Sequence, residues 1–149
     1  QTNKSASNNR NTSAGTVYLQ GKSDGEKGGT IYVKNQKNYD TSNVATWIPA
    51  ASRGDAAADF ANAKLVIADR GVVAIGAANM KLAALTIESN SRLDLHGETL
   101  CVKRATVGGV RLAPGTYAAG DEAVSGFVAD SGEGGKLVVT ATGLSIIMR

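Results

Sequence analysis

One histidine and one cysteine stand five positions apart, at His96 and Cys101, in a chain of 149 residues. An imidazole beside a thiol is the pairing that generates a thiolate nucleophile. The flanking residues argue against it. In RLDLHGETLCVK apolar and polar residues alternate, so Cys101 shares a face with Thr99 and Lys103 and opposes Leu100 and Val102. His96 precedes Gly97 at the turn between two strand-like runs, and no third group is placed to orient its ring. One His and one Cys supply too few ligands for zinc, and neither C-x-x-C nor H-x-x-x-H spacing occurs. A lone cysteine also excludes an internal disulfide.

The carboxylates give two further candidates. Asp24 with Glu26, and Asp130 with Glu133, lie in glycine-rich turns whose oxygens suit calcium, as does the pair Asp121 and Glu122. None of these turns has the ligand spacing of a calcium loop, so the reading is a solvated turn with no metal assigned. Asp55 and Asp59 are one helical turn apart and could act as a glycosidase pair. Their place at the start of a candidate helix is better explained by capping and the helix dipole. Tyr18, Tyr32 and Trp47 could form a carbohydrate platform; the competing reading is a tyrosine ladder and a core tryptophan. No nucleophile elbow, phosphate loop or dinucleotide fingerprint is present, and neither catalytic residue nor cofactor is predicted.

The elements that must carry these residues read as short strands. Eighteen glycines, two prolines and 5% aromatics accompany many Val, Ile and Thr, the composition of an all-β chain with many turns. GTVYL and GTIYV are near copies 14 residues apart, which predicts side-by-side tyrosines. From Lys64 the runs KLVIA, GVVAI, LAALTIE, RLDL, TLCVK and ATVGGV follow one another. Leu65 to Leu85 and Val73 to Leu93 are each 20 residues, and Leu85 to Val107 is 22. Such a recurrence predicts a right-handed β-helix or β-solenoid, with a β-sandwich as the alternative. Residues 1–14 are polar and read as a flexible or partner-docked arm, with one domain over 15–149. An insertion near 39–63 is predicted to hold a short helix over Asp55–Ala63, with Trp47, Ile48 and Phe60 covering the core. The closing GLSIIMR reads as a strand with Leu144, Ile146 and Met148 on one face and Ile147 on the other.

The stretch Leu93-Asp94-Leu95-His96-Gly97, Thr99-Leu100-Cys101-Val102, Val107-Gly108-Gly109-Val110 and Pro114-Gly115-Thr116-Tyr117 resembles the C-terminal region of large bacterial autotransporter-like surface β-helix proteins. The closing Gly134–Thr140 run resembles that family's last strand. Here His96 stands where the family has Asn, Cys101 where it has Thr, and Gly108 where it has Asn. The turn substitutions fit positions needing a positive φ. The resemblance implies an extracellular or cell-surface setting and a β-helix, and says nothing of a ligand.

The net charge of +3 is spread along the chain with no basic stripe, which argues against a nucleic-acid partner. No apolar run is long enough to span a bilayer. The opening carries no signal-peptide pattern and reads as a processed end or part of a longer polypeptide. The expected function is non-catalytic: a rigid stalk or filament building block whose partner is itself or the rest of a larger chain. Self-assembly through terminal strands, including Leu144, Ile146, Ile147 and Met148, is part of that expectation. The alternative is a carbohydrate-binding accessory module of a polysaccharide-degrading enzyme, with glycans as partners.

Overall fold

Alternating β-branched runs broken by Gly, Asn and Asp can satisfy their backbone only by pairing with neighbours, and among the described residues they do so as three sheets. A computed structural model describes residues 15–25, 28–35, 45–48 and 60–141. Its strands are β1 Gly15–Leu19, β2 Thr30–Lys34, β3 Thr46–Ile48, β4 Lys64–Ala68, β5 Val72–Ile75, β6 Met80–Leu82 and β7 Ala84–Ile87. They continue as β8 Arg92–Asp94, β9 Thr99–Val102, β10 Ala105–Val107, β11 Val110–Arg111, β12 Gly115–Tyr117, β13 Val128–Ala129 and β14 Lys136–Val139. The all-β class is as expected, and no α-helix occurs among the described residues.

Sheet I has the order β1-β2-β4-β7-β10-β11, sheet II β13-β8-β5-β3, and sheet III β12-β14-β9-β6. The chain visits them in rotation: β4, β5, β6, then β7, β8, β9, then β10, β13, β14. Pairing along this path is parallel. Antiparallel strands lie at the margins, β1 on β2, β11 on β10 and β12 on β14, so sheets I and III are mixed.

Register is fixed by the buried rows. Ile31, Leu65, Leu85 and Ala105 align in sheet I, and beside them Val33, Ile67, Ile87 and Val107. Val73, Leu93 and Val128 align in sheet II; Met80, Leu100 and Leu137 in sheet III. None of these side chains is more than 4% exposed. A slip of one residue would turn every one of them outward. The spacing is 20 from Leu65 to Leu85, Leu85 to Ala105, Val73 to Leu93 and Met80 to Leu100. Leu85 therefore pairs with Ala105, not with Val107 as the 22-residue spacing suggested.

Four sequence expectations change. The two tyrosines do not stack: β1 is antiparallel to β2, so Tyr18 lies opposite Ile31 and Val17 opposite Tyr32, which puts the rings on opposite faces. The Tyr18 hydroxyl donates to the Gly28 carbonyl instead. LAALTIE is not one strand; it breaks at Ala83 into β6 and β7, in different sheets, because the chain turns a corner there. The insertion contains strand, since Thr46–Ile48 pairs with β5. Within it Ile48 is buried and Phe60 packs on the core, whereas Trp47 is 40% exposed on the outer face. Asp55 and Asp59 of the expected helix, and Leu144, Ile146, Ile147 and Met148 of the expected last strand, lie outside the described residues.

The rows predict where substitutions hurt. Leu85→Ala, at the centre of a buried row, should cost about 2–5 kcal/mol. Thr86→Ala on the outer face of the same strand should cost less than about 1 kcal/mol. Urea unfolding of the two variants checks the difference.

Candidate functional site

Parallel strands end on the same side of a sheet, so the turns that follow them meet. β8 and β13 are parallel, with Ala129 opposite Asp94, and their exits place His96-Gly97 beside Ser131–Gly134. His96 has φ 51°, the left-handed value its turn requires. Gly132 lies against the His96 carbonyl, where a Cβ would overlap the backbone.

Two carboxylates tie these turns together. Asp94 Oδ1 accepts the amides of His96 at 3.0 Å and Ser131 at 2.9 Å. Asp130 Oδ1 accepts the amides of Gly97 at 2.6 Å and Gly132 at 3.4 Å, and its Oδ2 accepts Gly135 at 2.6 Å. Ser131 Oγ is 2.9 Å from His96 Nδ1. On the other side of His96, the Trp47 ring meets the imidazole edge-on, with centroids 4.8 Å apart at 89°. Trp47 shares an outer row with Ala74 and Asp94, and Ala74 is 1% exposed although it points outward.

Burial pushes the Asp94 pKa up, but the Ser131 amide and hydroxyl, the His96 amide and the nearby imidazole together outweigh it and hold the carboxyl below its usual value. The group is therefore an anion at neutral pH, locked in place by donors.

The cluster contains Ser, His and Asp, yet its order is not that of a nucleophile relay. In a working triad the imidazole sits between hydroxyl and carboxylate and removes the hydroxyl proton. Here the Asp94 carboxylate accepts the backbone amides of His96 and Ser131, and the imidazole Nδ1 faces Ser131 Oγ. The arrangement fixes two turns.

The remaining candidates scatter. Cys101 faces outward in sheet III, in a row with Lys81 and Val138, while His96 is partnered by Ser131 and Trp47. Asp24 Oδ2 accepts the Gly21 amide at 2.7 Å and Asp121 Oδ2 the Ala118 amide at 2.8 Å, each closing its own turn. Glu122 lies in a short 3-10 turn and Glu133 is exposed at φ 64°. Glu26 lies outside the described residues. Among the described residues no three His, Cys, Asp or Glu side chains converge as metal ligands. Tyr18 and Tyr32 belong to sheet I and Trp47 to sheet II, so the three do not make one platform. A separate open groove of about 710 Å³ follows the corner after β4, β7 and β10, with Asp69, Arg70, Glu88 and Asn90 among its lining residues.

Sequence reading missed Asp94 and Ser131 as partners, and the contact of Trp47 with His96. β8 and β13 are 35 residues apart in register, Leu93 to Val128, because β11, β12 and a 3-10 turn intervene. The one available signal was the similar Leu-Asp-Leu-His-Gly and Val-Ala-Asp-Ser-Gly endings of two strands. Comparison with protein-family models, curated proteins and solved structures finds no match.

The depressed Asp94 pKa makes a pH prediction. The stabilisation is complete above the unfolded carboxyl pKa and is lost as pH falls through the lower folded value. Stability of the native chain should therefore fall below about pH 4, and Asp94→Asn should flatten that acid limb while lowering stability at pH 7. Urea midpoints measured from pH 7 downward check both.

Proposed function

We propose that the chain is a right-handed β-solenoid that serves as a rigid, non-catalytic structural module of an extracellular or cell-surface protein. The observation that carries this reading is the 20-residue register of buried rows, repeated in all three sheets. Rotation of the chain through three sheets in parallel pairing is the path of a coil, and parallel crossovers are right-handed in almost all known cases. In such a fold each coil buries its aliphatic residues only against its neighbours. Stiffness then comes from backbone ladders and side-chain stacks, and the outer turns serve to close the coils. The polar groups of the His96 corner are consumed in that closure, which supports a scaffold over a reaction centre. The surface setting rests on the resemblance carried by Leu93–Tyr117.

A second reading, a carbohydrate-binding module, is favoured by one observation: Trp47 presents 40% of its surface on an outer sheet face beside the His96 edge. An exposed indole next to polar groups is the chemistry of a sugar platform.

Duplicating Ala84–Lys103, one 20-residue coil, tests the first reading. The longer chain should fold cooperatively and gain about 5 Å in length by small-angle scattering; a chain that no longer folds would contradict it. A glycan array probed with the full chain and with Trp47→Ala tests the second. The structural reading expects no retained glycan, and Trp47-dependent retention would replace it with the binding module.

A further inference from the structure

We infer that β1 is a self-pairing edge, and that two copies of the chain join through it, β1 antiparallel to β1, across a two-fold axis. This rests on the reading of the chain as a structural module and names its partner.

β1 is the margin of sheet I, and among the described residues only β2 pairs with it. All five of its residues are exposed, with Val17 at 53%, Tyr18 at 50% and Leu19 at 56%. A strand edge left open is a template for another strand, and proteins blunt such edges with charge, proline, bulges or brevity. β1 has none of these. Gly15–Gln20 contains no charge and no proline, and its five pairs with β2 run without interruption. The opposite margin of sheet I is blunted: β11 has two residues, one of them Arg111. In sheet III the margin β12 has three residues and follows Pro114.

The unpaired edge requires an extended backbone, and the exposed Val17, Tyr18 and Leu19 require apolar side chains beside them. One other segment of the chain is a poor occupant. Residues 1–14 read QTNKSASNNRNTSA, with no Val, Ile, Leu or aromatic residue to lay against Val17 or Leu19.

A second copy offers the missing complement. Centred on Val17, the two-fold sets Val17 opposite Val17, Tyr18 opposite Thr16 and Leu19 opposite Gly15. The second copy then extends the outer row that already contains Val17, Tyr32 and Val66. No like charges meet across the axis, because the segment has none. Since the far margin of the sheet is blunted, the symmetry is closed: a dimer joined end to end, not a filament.

The test uses the full chain. Analytical ultracentrifugation should show a dimer, and Val17→Lys should weaken it by more than about tenfold, because two ammonium groups then face each other. The circular dichroism spectrum should not change, since Val17 is exposed. Val17→Cys in a Cys101→Ser background should form a disulfide-linked dimer on oxidation, as facing residues of antiparallel strands lie within disulfide reach. Thr106→Cys in the same background, remote from the edge, should not. A monomeric native chain, a dimer unaffected by Val17→Lys, or no cross-link at position 17 would overturn the inference. Each of these leaves the structural reading standing if the duplicated coil folds, so the two fail separately.

Discussion

Parallel register of buried aliphatic rows is the constraint on which the rest of this structure depends. Leu65, Leu85 and Ala105 share one row, and Met80, Leu100 and Leu137 another, with no polar residue interrupting either. Parallel strands cannot be joined by a two-residue hairpin, so each strand must be followed by a path through the other two sheets before the next row position is reached. The 20-residue interval is the length of that path. Where the interval stretches, from Leu100 to Leu137, the added residues form β11 and β12, the antiparallel margins of sheets I and III, and a short 3-10 turn, and the row itself is unbroken.

The polar chemistry follows from this packing. Keeping Leu93 and Val128 in one row forces the β8 and β13 exits together. Backbone amides of two turns then crowd one corner, and Asp94 and Asp130 gather five of them. Ser131 and His96 join the same network, so residues that look reactive in the sequence are held by the scaffold. The exposed β1 edge is the converse case: it lies outside the rotation through the three sheets, antiparallel to β2, and its apolar side chains stay exposed at the margin.

Much of the fold was legible. Strict alternation in KLVIA and TLCVK identified the buried faces, and the Leu65–Leu85 spacing gave the repeat. The turn before Gly97 was recognised as needing a positive φ, and His96 and Gly108 both adopt one. What escaped depended on pairing direction and on distant contacts. Two similar segments suggest stacked tyrosines only if their strands are parallel; β1 is antiparallel, and Tyr18 and Tyr32 part to opposite faces. Ala83 carries no turn signature, so the corner between β6 and β7 was hidden inside an apolar run. Trp47 read as core because large aromatics bury well, yet its strand presents Ile48 inward and the indole outward. The Asp94–Ser131 pairing could not be seen from either segment alone.

The most direct measurement of the central claim is the pattern of nuclear Overhauser contacts between backbone protons of neighbouring rows. Parallel pairing in the observed register predicts Hα-to-amide contacts linking the strands of Ile31, Leu65, Leu85 and Ala105, repeated for Val73 with Leu93 and Met80 with Leu100. Close Hα-to-Hα contacts between these strands, the mark of antiparallel pairing, or contacts displaced by one or more residues from this register, would contradict it.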